Sequence, residues 1–530
     1  AQAILAQGVS RSTPACDALH TSKTLAMFRT SRASLVACLV AGPVSHVAAT
    51  TAASGFSQGA VIADSCEGDD IALLQTSSAF RHEASPPKKL VATSEVAKAA
   101  GAADFWPSGR GAQGQFGWSS SLSGPFDLKL AWSWHHPEGR FHTLTYGTAV
   151  DAGGNIFLSA ADAIRKFSPN GQLLWEHKTL PAQMPNAASL ADGRVYSSDT
   201  TGRVFALSME TGQELWSTKV CHEIAQDNGF VTVSDGVVVA ATDAANAGEE
   251  NVAVRGFSAS DGALLWTYKP DVNVWNFMGS PTGDGSVLFQ DQAGKAYRLR
   301  LRDGSLLWKA GGSPGSWTDG TASLGANGVF YTPHNDLSRT SSFTADTPGH
   351  LSARNASDGA LLWSITTPRP PNNAPALGKV YGHPGLSVVQ PMGQQVMKGA
   401  PTDVYAYDAA TGATRWVFRG PAQKGFLQAG DMDGSVIRLA SGVRPVCLPN
   451  PWSAPTIDAS GTVYVGNQDG LFFGLRDLNG DGVVEGPGEV SSFDTRAAFS
   501  GSAGPSLAPG RVLVASCDSL FVFGDGQGGL

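Results

Sequence analysis

The sequence predicts an all-β protein: a β-propeller of eight four-stranded antiparallel blades, with seven as the alternative count. Three observations carry this. A hexapeptide recurs, DGALLW at 261–266 and again at 358–363, with DGSLLW at 303–308, NGQLLW at 170–175, TGQELW at 211–216 and TGATRW at 411–416. The copies fall roughly 40 to 55 residues apart, about the length of a four-stranded blade. The composition agrees, because among 530 residues 63 are glycine and only 15% are charged, which suits many short strands joined by tight turns.

Each copy reads as a hairpin. Asp-Gly, Asn-Gly or Thr-Gly supplies a residue that tolerates positive φ. A strand-like run such as VFALS (204–208) or VYAYD (404–408) precedes the turn, and a short strand ending in tryptophan follows it. A second strand pair stands before these, as in GRVYSS at 193–198 and GTVYVG at 461–466. One such sheet cannot bury both faces, but stacking sheets around an axis does so and leaves few open edges. Trp132, Trp175, Trp216, Trp266, Trp308, Trp363 and Trp416, with Phe493 in the equivalent place, are therefore assigned to blade-to-blade packing.

In chain order, residues 1–26 precede the first methionine and read as a non-native or untranslated leader. Met27 opens a signal-peptide pattern over 27–49: Arg29 and Arg32, then the apolar run ASLVACLVAGPV, then Val47-Ala48-Ala49. That run is too short to span a bilayer. Residues 50–125 read as a low-complexity linker, so truncation through residue 110 is expected to be nearly neutral for folding. The propeller then occupies 126–530. Blade one covers 147–178, blade two 186–220, blade three 228–270, blade four 278–312, blade five 319–368, blade six 375–420 and blade seven 453–495. A long connection, 421–452, separates the last two. Only three strands remain at the C-terminus, PSLAPG, RVLVAS and SLFVFG, and a tryptophan-bearing strand, LKLAWSW at 128–134, is left over at the other end. The eighth blade is thus expected to be closed by both termini.

The repeat resembles the pyrroloquinoline-quinone-like (PQQ-like) β-propeller repeat. That family includes quinoprotein dehydrogenases and cofactor-free scaffolds of bacterial outer-membrane assembly. The resemblance implies the fold more strongly than an activity, since one repeat serves enzymes and binders. It also implies where a ligand sits: in loops running from one blade's outer strand to the next blade's inner strand, around the channel. Here those loops carry Tyr146, Asn186, Asp227, Asn228, Trp275, Asn276, Trp317, Asp319 and Trp452. Aromatic platforms beside amides and carboxylates suit a sugar, a quinone or a peptide, and a protein or carbohydrate ligand is expected at this face. The competing reading is that these residues cap blade ends and plug the channel.

One stretch carries metal chemistry. In DLNGDGVVEGPGE (477–489), Asp477, Asn479 and Asp481 take positions 1, 3 and 5 of a calcium loop. Gly482 makes the turn, the Val483 carbonyl falls at 7 and Glu485 at 9, with Glu489 one place beyond the usual last ligand. The loop replaces a turn between a blade's third and fourth strands, so a structural ion confined to the rim of blade seven is expected. His135, His136 and His142 lie close together in WSWHHPEGRFH, a loop rather than a metal signature. Cys66, Cys221, Cys447 and Cys517 follow the leader, and their pairing is open.

A net charge of −8 without a basic cluster argues against nucleic acid as a partner. No stretch is long and apolar enough for a transmembrane segment. The dehydrogenases resembled here bring adjacent cysteines and a calcium set in the channel, and this chain has no adjacent cysteines. PQQ is therefore not expected as a cofactor. The favoured reading is an exported, non-enzymatic binding or scaffold propeller with structural calcium, in the extracellular space or an organelle lumen. A PQQ- and calcium-dependent oxidoreductase is the alternative function, and a plastid the alternative compartment.

Overall fold

The computed structural model describes residues 104–524 apart from 113, 115, 227–229, 245–250, 313–315, 317, 336–346, 394–401, 423–428, 448–450 and 500–502. Eight antiparallel sheets follow one another in the predicted order. Blade one runs from Thr145–Val150 to Leu173–Lys178, blade two from Ser189–Ala191 to Glu214–Lys219, and blade three from Thr232–Ser234 to Leu264–Tyr268. Blade four runs from Ser280–Pro281 to Leu306–Gly311, blade five from Ser323–Leu324 to Leu361–Thr367, and blade six from Ala376–Gly378 to Thr414–Arg419. Blade seven runs from Thr456–Ile457 to Val490–Asp494. Blade eight combines Ser506–Ala508, Arg511–Ala515 and Ser519–Gly524 with the N-terminal strand Leu130–His135, in the register Trp132 opposite Val522 and Trp134 opposite Leu520.

The cores lie between blades. Val239 and Val254 of blade three interleave with Val287, Phe289 and Leu299 of blade four. Each repeat tryptophan then locks its blade to the next. The Trp175 indole lies against Gly212 in the following blade's turn, and its N–H donates to the Met209 carbonyl (3.1 Å). Trp216 does the same with Gly262 and the Ala259 carbonyl (3.0 Å), and Trp308 with Gly359 and the Ala356 carbonyl (3.1 Å). Trp132 repeats this across the seam onto Gly171 and the Pro169 carbonyl (3.0 Å). The glycine is needed twice over: φ at Gly212 is 71°, and a Cβ there would lie 2.7 Å from the Trp175 ring.

The pattern breaks where blade seven's turn is replaced. Trp416 is buried, but its indole N–H has no hydrogen-bond partner among the described residues. The 477–489 loop instead sends Val483–Val484 back to pair in parallel with Val417 and Phe418, as a fifth strand on blade six. Asp477 accepts from His383 Nε2 (2.8 Å), on the turn between the first two strands of blade six. The loop therefore bridges two blades, which corrects the expectation of a feature confined to blade seven. Phe493 fills the tryptophan position, against Phe521 and Phe523 of blade eight.

A second correction concerns the linker. Residues 104–125 belong to the propeller. Trp106 pairs with Val150, Pro107 accepts from Leu190 N–H, Phe116 accepts from Leu377 N–H, and Trp118 bridges to Ile457. Inner strands of blades one, two, six and seven all take backbone partners from this segment. Such pairing lies outside any local sequence pattern, since every partner is supplied by another blade.

The 421–452 connection includes a short helix, Ser435–Ala440, anchored by the buried Arg438, which bonds Asp431 Oδ1 (2.9 Å) and the Asp431 carbonyl. A disulfide, Cys447–Cys517, ties the connection to blade eight and resolves the pairing for these two cysteines. Cys221 is a free thiol, and Cys66 lies outside the described residues. No helix among the described residues is long and apolar enough to cross a membrane.

Candidate functional site

The loops that enter the inner strands surround the axis, and the structure describes six of the nine residues singled out there; Asp227, Asn228 and Trp317 lie outside the described residues. Asn276 donates to the Asp319 carbonyl (2.7 Å), and Asn372 joins Asp319 by accepting its N–H (2.9 Å) and donating to its Oδ2 (3.1 Å). Asn373 next door donates to the Trp452 carbonyl (2.6 Å). Amide and carboxylate groups thus lace together the four consecutive loops that follow blades three to six. Trp452 is buried against Phe418 and Phe473. Asn186 caps its own chain through the Ala187 N–H (2.9 Å). Tyr146 is buried with Leu144, Val443 and Cys517, beneath the connection. Trp275 is half-buried beside Asn276.

Below this ring the axis is occupied. Ala187, Phe230, Met278, Ala374, Ala454 and Ala503 come from the inner ends of six blades and form one buried cluster. Gly109 lies against Phe230 and Ala187, and accepts from Gly504 N–H. The adjacent Arg110 is fully buried and donates through Nη2 to the Pro375 carbonyl (2.7 Å). Gly109 touches blades two and three while Arg110 reaches blade six. Blades two and six face each other across an eight-membered ring, so the segment crosses the axis. Nε and Nη1 of Arg110 have no partner among the described residues, and burial pushes the guanidinium down to about 9. Sequence reasoning missed Arg110, because nothing in the Ser/Gly-rich WPSGRG marks it as buried.

In the 477–489 loop the side-chain oxygens of Asp477, Asn479, Asp481 and Glu489 all have donors. Asp477 Oδ1 accepts from Gly480 N–H (2.9 Å), Asn479 Oδ1 from Asp481 N–H (2.9 Å) and Asp481 Oδ1 from Val483 N–H (2.8 Å). Glu489 is buried and accepts from Leu478, Asn479 and Glu485 N–H groups. Glu485 is exposed. These oxygens are acceptors only, the chemistry a hard cation takes, and all but Glu489 Oε1, which already accepts two N–H groups, retain a second lone pair.

At the seam between blades eight and one, the histidine-rich loop gathers His136, Glu138 and His142, with a ligand atom of each within 4.8 Å of the others. His135, the third histidine of the run, is outside the group and Glu138 stands in its place. Burial pushes the His136 imidazole down, partly offset by Asp162. Burial also works against the charge on Asp162, but Arg165 and Thr143 outweigh it and hold that carboxyl below its ordinary range.

The fold, its tryptophan locks and its filled axis define a propeller of the PQQ-like repeat class. The chain belongs to the family described as outer membrane protein assembly factor BamB, whose model matches residues 160–316 and 317–487, more than half of the sequence. Among curated proteins it is similar to that assembly factor from Moranella endobia, 24% identical over 188 residues that make up 35% of this chain and 45% of that one. The assembly factor of Nitrosomonas eutropha is 25% identical over 165 residues, 29% of this chain and 36% of that one. The chain spans less than half the length of either relative. The crystal structure of BamB from Moraxella catarrhalis aligns with a TM-score of 0.52 at 14% identity, over 75% of this chain and 99% of that one. The quinohemoprotein alcohol dehydrogenase of Comamonas testosteroni aligns with a TM-score of 0.56 at 12% identity, over 82% of each chain. Both structural likenesses concern the fold alone.

Proposed function

We propose that this chain is an exported, non-enzymatic propeller that holds a protein partner, with a structural calcium ion in the 477–489 loop. The observation that carries the reading is the filled axis: Gly109 and Arg110 cross it, and side chains from six blades pack beneath the ring of loops. A quinone-dependent propeller has to keep that space for its cofactor. The relatives named as outer membrane protein assembly factors favour a protein as partner over a small molecule. The Cys447–Cys517 disulfide supports an oxidising compartment, where such bonds persist. Calcium is supported by the acceptor-only oxygens of Asp477, Asn479, Asp481, Glu485 and Glu489 and by the Val483 carbonyl. The ion would neutralise carboxylates of the loop and hold it against blade six.

The test is reconstitution. Full-length protein is incubated with PQQ and calcium, separated from free cofactor, and assayed for quinone absorbance and dye-linked alcohol oxidation. Neither signal is expected. Stoichiometric cofactor retention with turnover would replace the scaffold reading by the oxidoreductase one.

A further inference from the structure

We propose that His136, Glu138 and His142 form a binding site for a zinc-class divalent cation at the seam where the propeller ring closes. Their ligand atoms lie within 4.8 Å of one another. Donors in a tetrahedral zinc site with bonds of about 2.1 Å stand roughly 3.4 Å apart, so a closure of at most about 1.4 Å completes the set. Glu138 is the group that has to move, and its side chain is 74% exposed on a loop. Its carboxylate already stands 3.5 Å from His142 Nδ1. The two imidazoles stack, with centroids 5.7 Å apart and planes 22° from parallel.

The donor set decides the class of ion. Two imidazole nitrogens and one carboxylate suit zinc and its transition-metal neighbours, whereas calcium and magnesium take oxygen shells. Three protein donors also leave a position for water.

The His142 imidazole carries an outer partner of the kind such sites use to fix ring orientation, leaving Nε2 for an ion. His136 Nδ1 instead accepts the Glu138 N–H (3.2 Å), so Nε2, beside Asp162, is the nitrogen His136 offers. His136 Nε2 stands 3.6 Å from Asp162 Oδ2, and Asp162 is itself held by Arg165 (3.2 and 2.5 Å) and by Thr143. His142 Nδ1 is 3.0 Å from Ser441 Oγ, at the end of the helix in the 421–452 connection. The ring stack also holds the imidazoles together before an ion arrives. The three residues span the loop between the closing strand and the first strand of blade one, and Ser441 brings in the connection. An ion here clamps together the parts that close the ring, a role separate from the calcium loop six blades away along the chain.

Untagged full-length protein, stripped of metal, is titrated with cobalt(II) as a spectroscopic probe for zinc and then with zinc as competitor. One cobalt per chain with a visible d–d band is expected, displaced by zinc, and zinc raises the melting temperature. His136→Gln and His142→Gln are each expected to weaken binding by more than the roughly 10- to 100-fold that loss of an outer partner costs. His135→Gln leaves binding intact. The metal-free variants melt like the metal-free parent, which separates lost ligation from lost folding. Absence of a cobalt band, or a band that persists in the His136→Gln/His142→Gln double variant, overturns the site.

Discussion

Trp266 is 7% exposed, whereas the two leucines before it in the repeated hexapeptide, Leu264 and Leu265, are 49% and 45% exposed. The cause is a bulge: Gly256 pairs with Trp266 and Phe257 with Leu264, which leaves Leu265 unpaired and keeps both leucines off the core. Trp266→Ala is therefore expected to cost about 3–5 kcal/mol, as buried aromatic truncations do. Leu265→Ser should stay within about 0.5 kcal/mol. Urea unfolding of the two variants checks the contrast, and equal losses would refute the assignment of the tryptophan as the lock. The tryptophan's role was legible from spacing alone, but the leucines' exposure was not, because a bulge leaves no mark in the hexapeptide. Arg110 was illegible for a different reason, since its hydrogen-bond partner is a carbonyl 265 positions away. Its charge is buried without a carboxylate among the described residues, so Arg110→Met is expected to leave stability at pH 7 unchanged or raise it. The sign with pH follows from a guanidinium held at about 9 in the fold, well below its open-chain value. Between those values the unfolded chain holds a proton that the folded one has lost, so the parent gains stability as pH rises through that window. Below about 9 its penalty is constant. The parent should thus close on the variant in alkaline unfolding curves, and a gap that is flat up to pH 11 would count against this.

At the scale of elements, the calcium-type loop shows what a local motif leaves out. The spacing within 477–485 proposes a cation loop, but the pairing of the strand Val483–Val484 with blade six follows a register no linear pattern encodes. His383, the partner of Asp477, sits 94 positions upstream. The missing docking carbonyl for Trp416 is the same fact seen from the other blade: the loop has displaced the turn that supplies it elsewhere. Calcium at a hundredfold excess over its dissociation constant is expected to stabilise the protein by about 2.7 kcal/mol. The structure adds where the effect spreads. Chelation should raise amide exchange at Val417, whose N–H donates to the Gly482 carbonyl (3.0 Å), as well as within the loop. Asp481→Ala should abolish the calcium response at both places. Identical melting with calcium and with chelator would leave a hydrogen-bonded turn, and a response limited to 477–489 would remove the coupling between blades.

For the whole molecule, closure was the most legible feature and the axial plug the least. A tryptophan strand without a blade and a blade without a tryptophan strand can be matched by counting, and the pairing of Leu130–His135 with Ser519–Gly524 follows. The plug has no periodicity: 104–125 is rich in glycine and serine, and beyond a few local turns its described residues are held by contacts with distant blades. Those contacts move the boundary at which truncation becomes harmful. A chain beginning at residue 104 retains every contact described here and is expected to melt as the full chain does. One beginning at 111 loses Trp106, which is 1% exposed and packed in the core shared by blades seven, eight and one, together with Arg110. The tryptophan alone accounts for about 3–5 kcal/mol. Relief of the Arg110 charge offsets only part of this, because the axial cluster loses the backbone that covers it. Removal through residue 110, nearly neutral if the stretch were a linker, should instead lower the melting temperature clearly. Removal through 135 takes the closing strand as well, exposes the edge of Ser519–Gly524, and should leave no cooperative transition of the intact ring. Calorimetry of the series beginning at 104, 111 and 136 checks this. Equal melting of the first two would return 104–110 to the status of a linker, and a full-sized transition in the third would show that the ring does not depend on joining its ends.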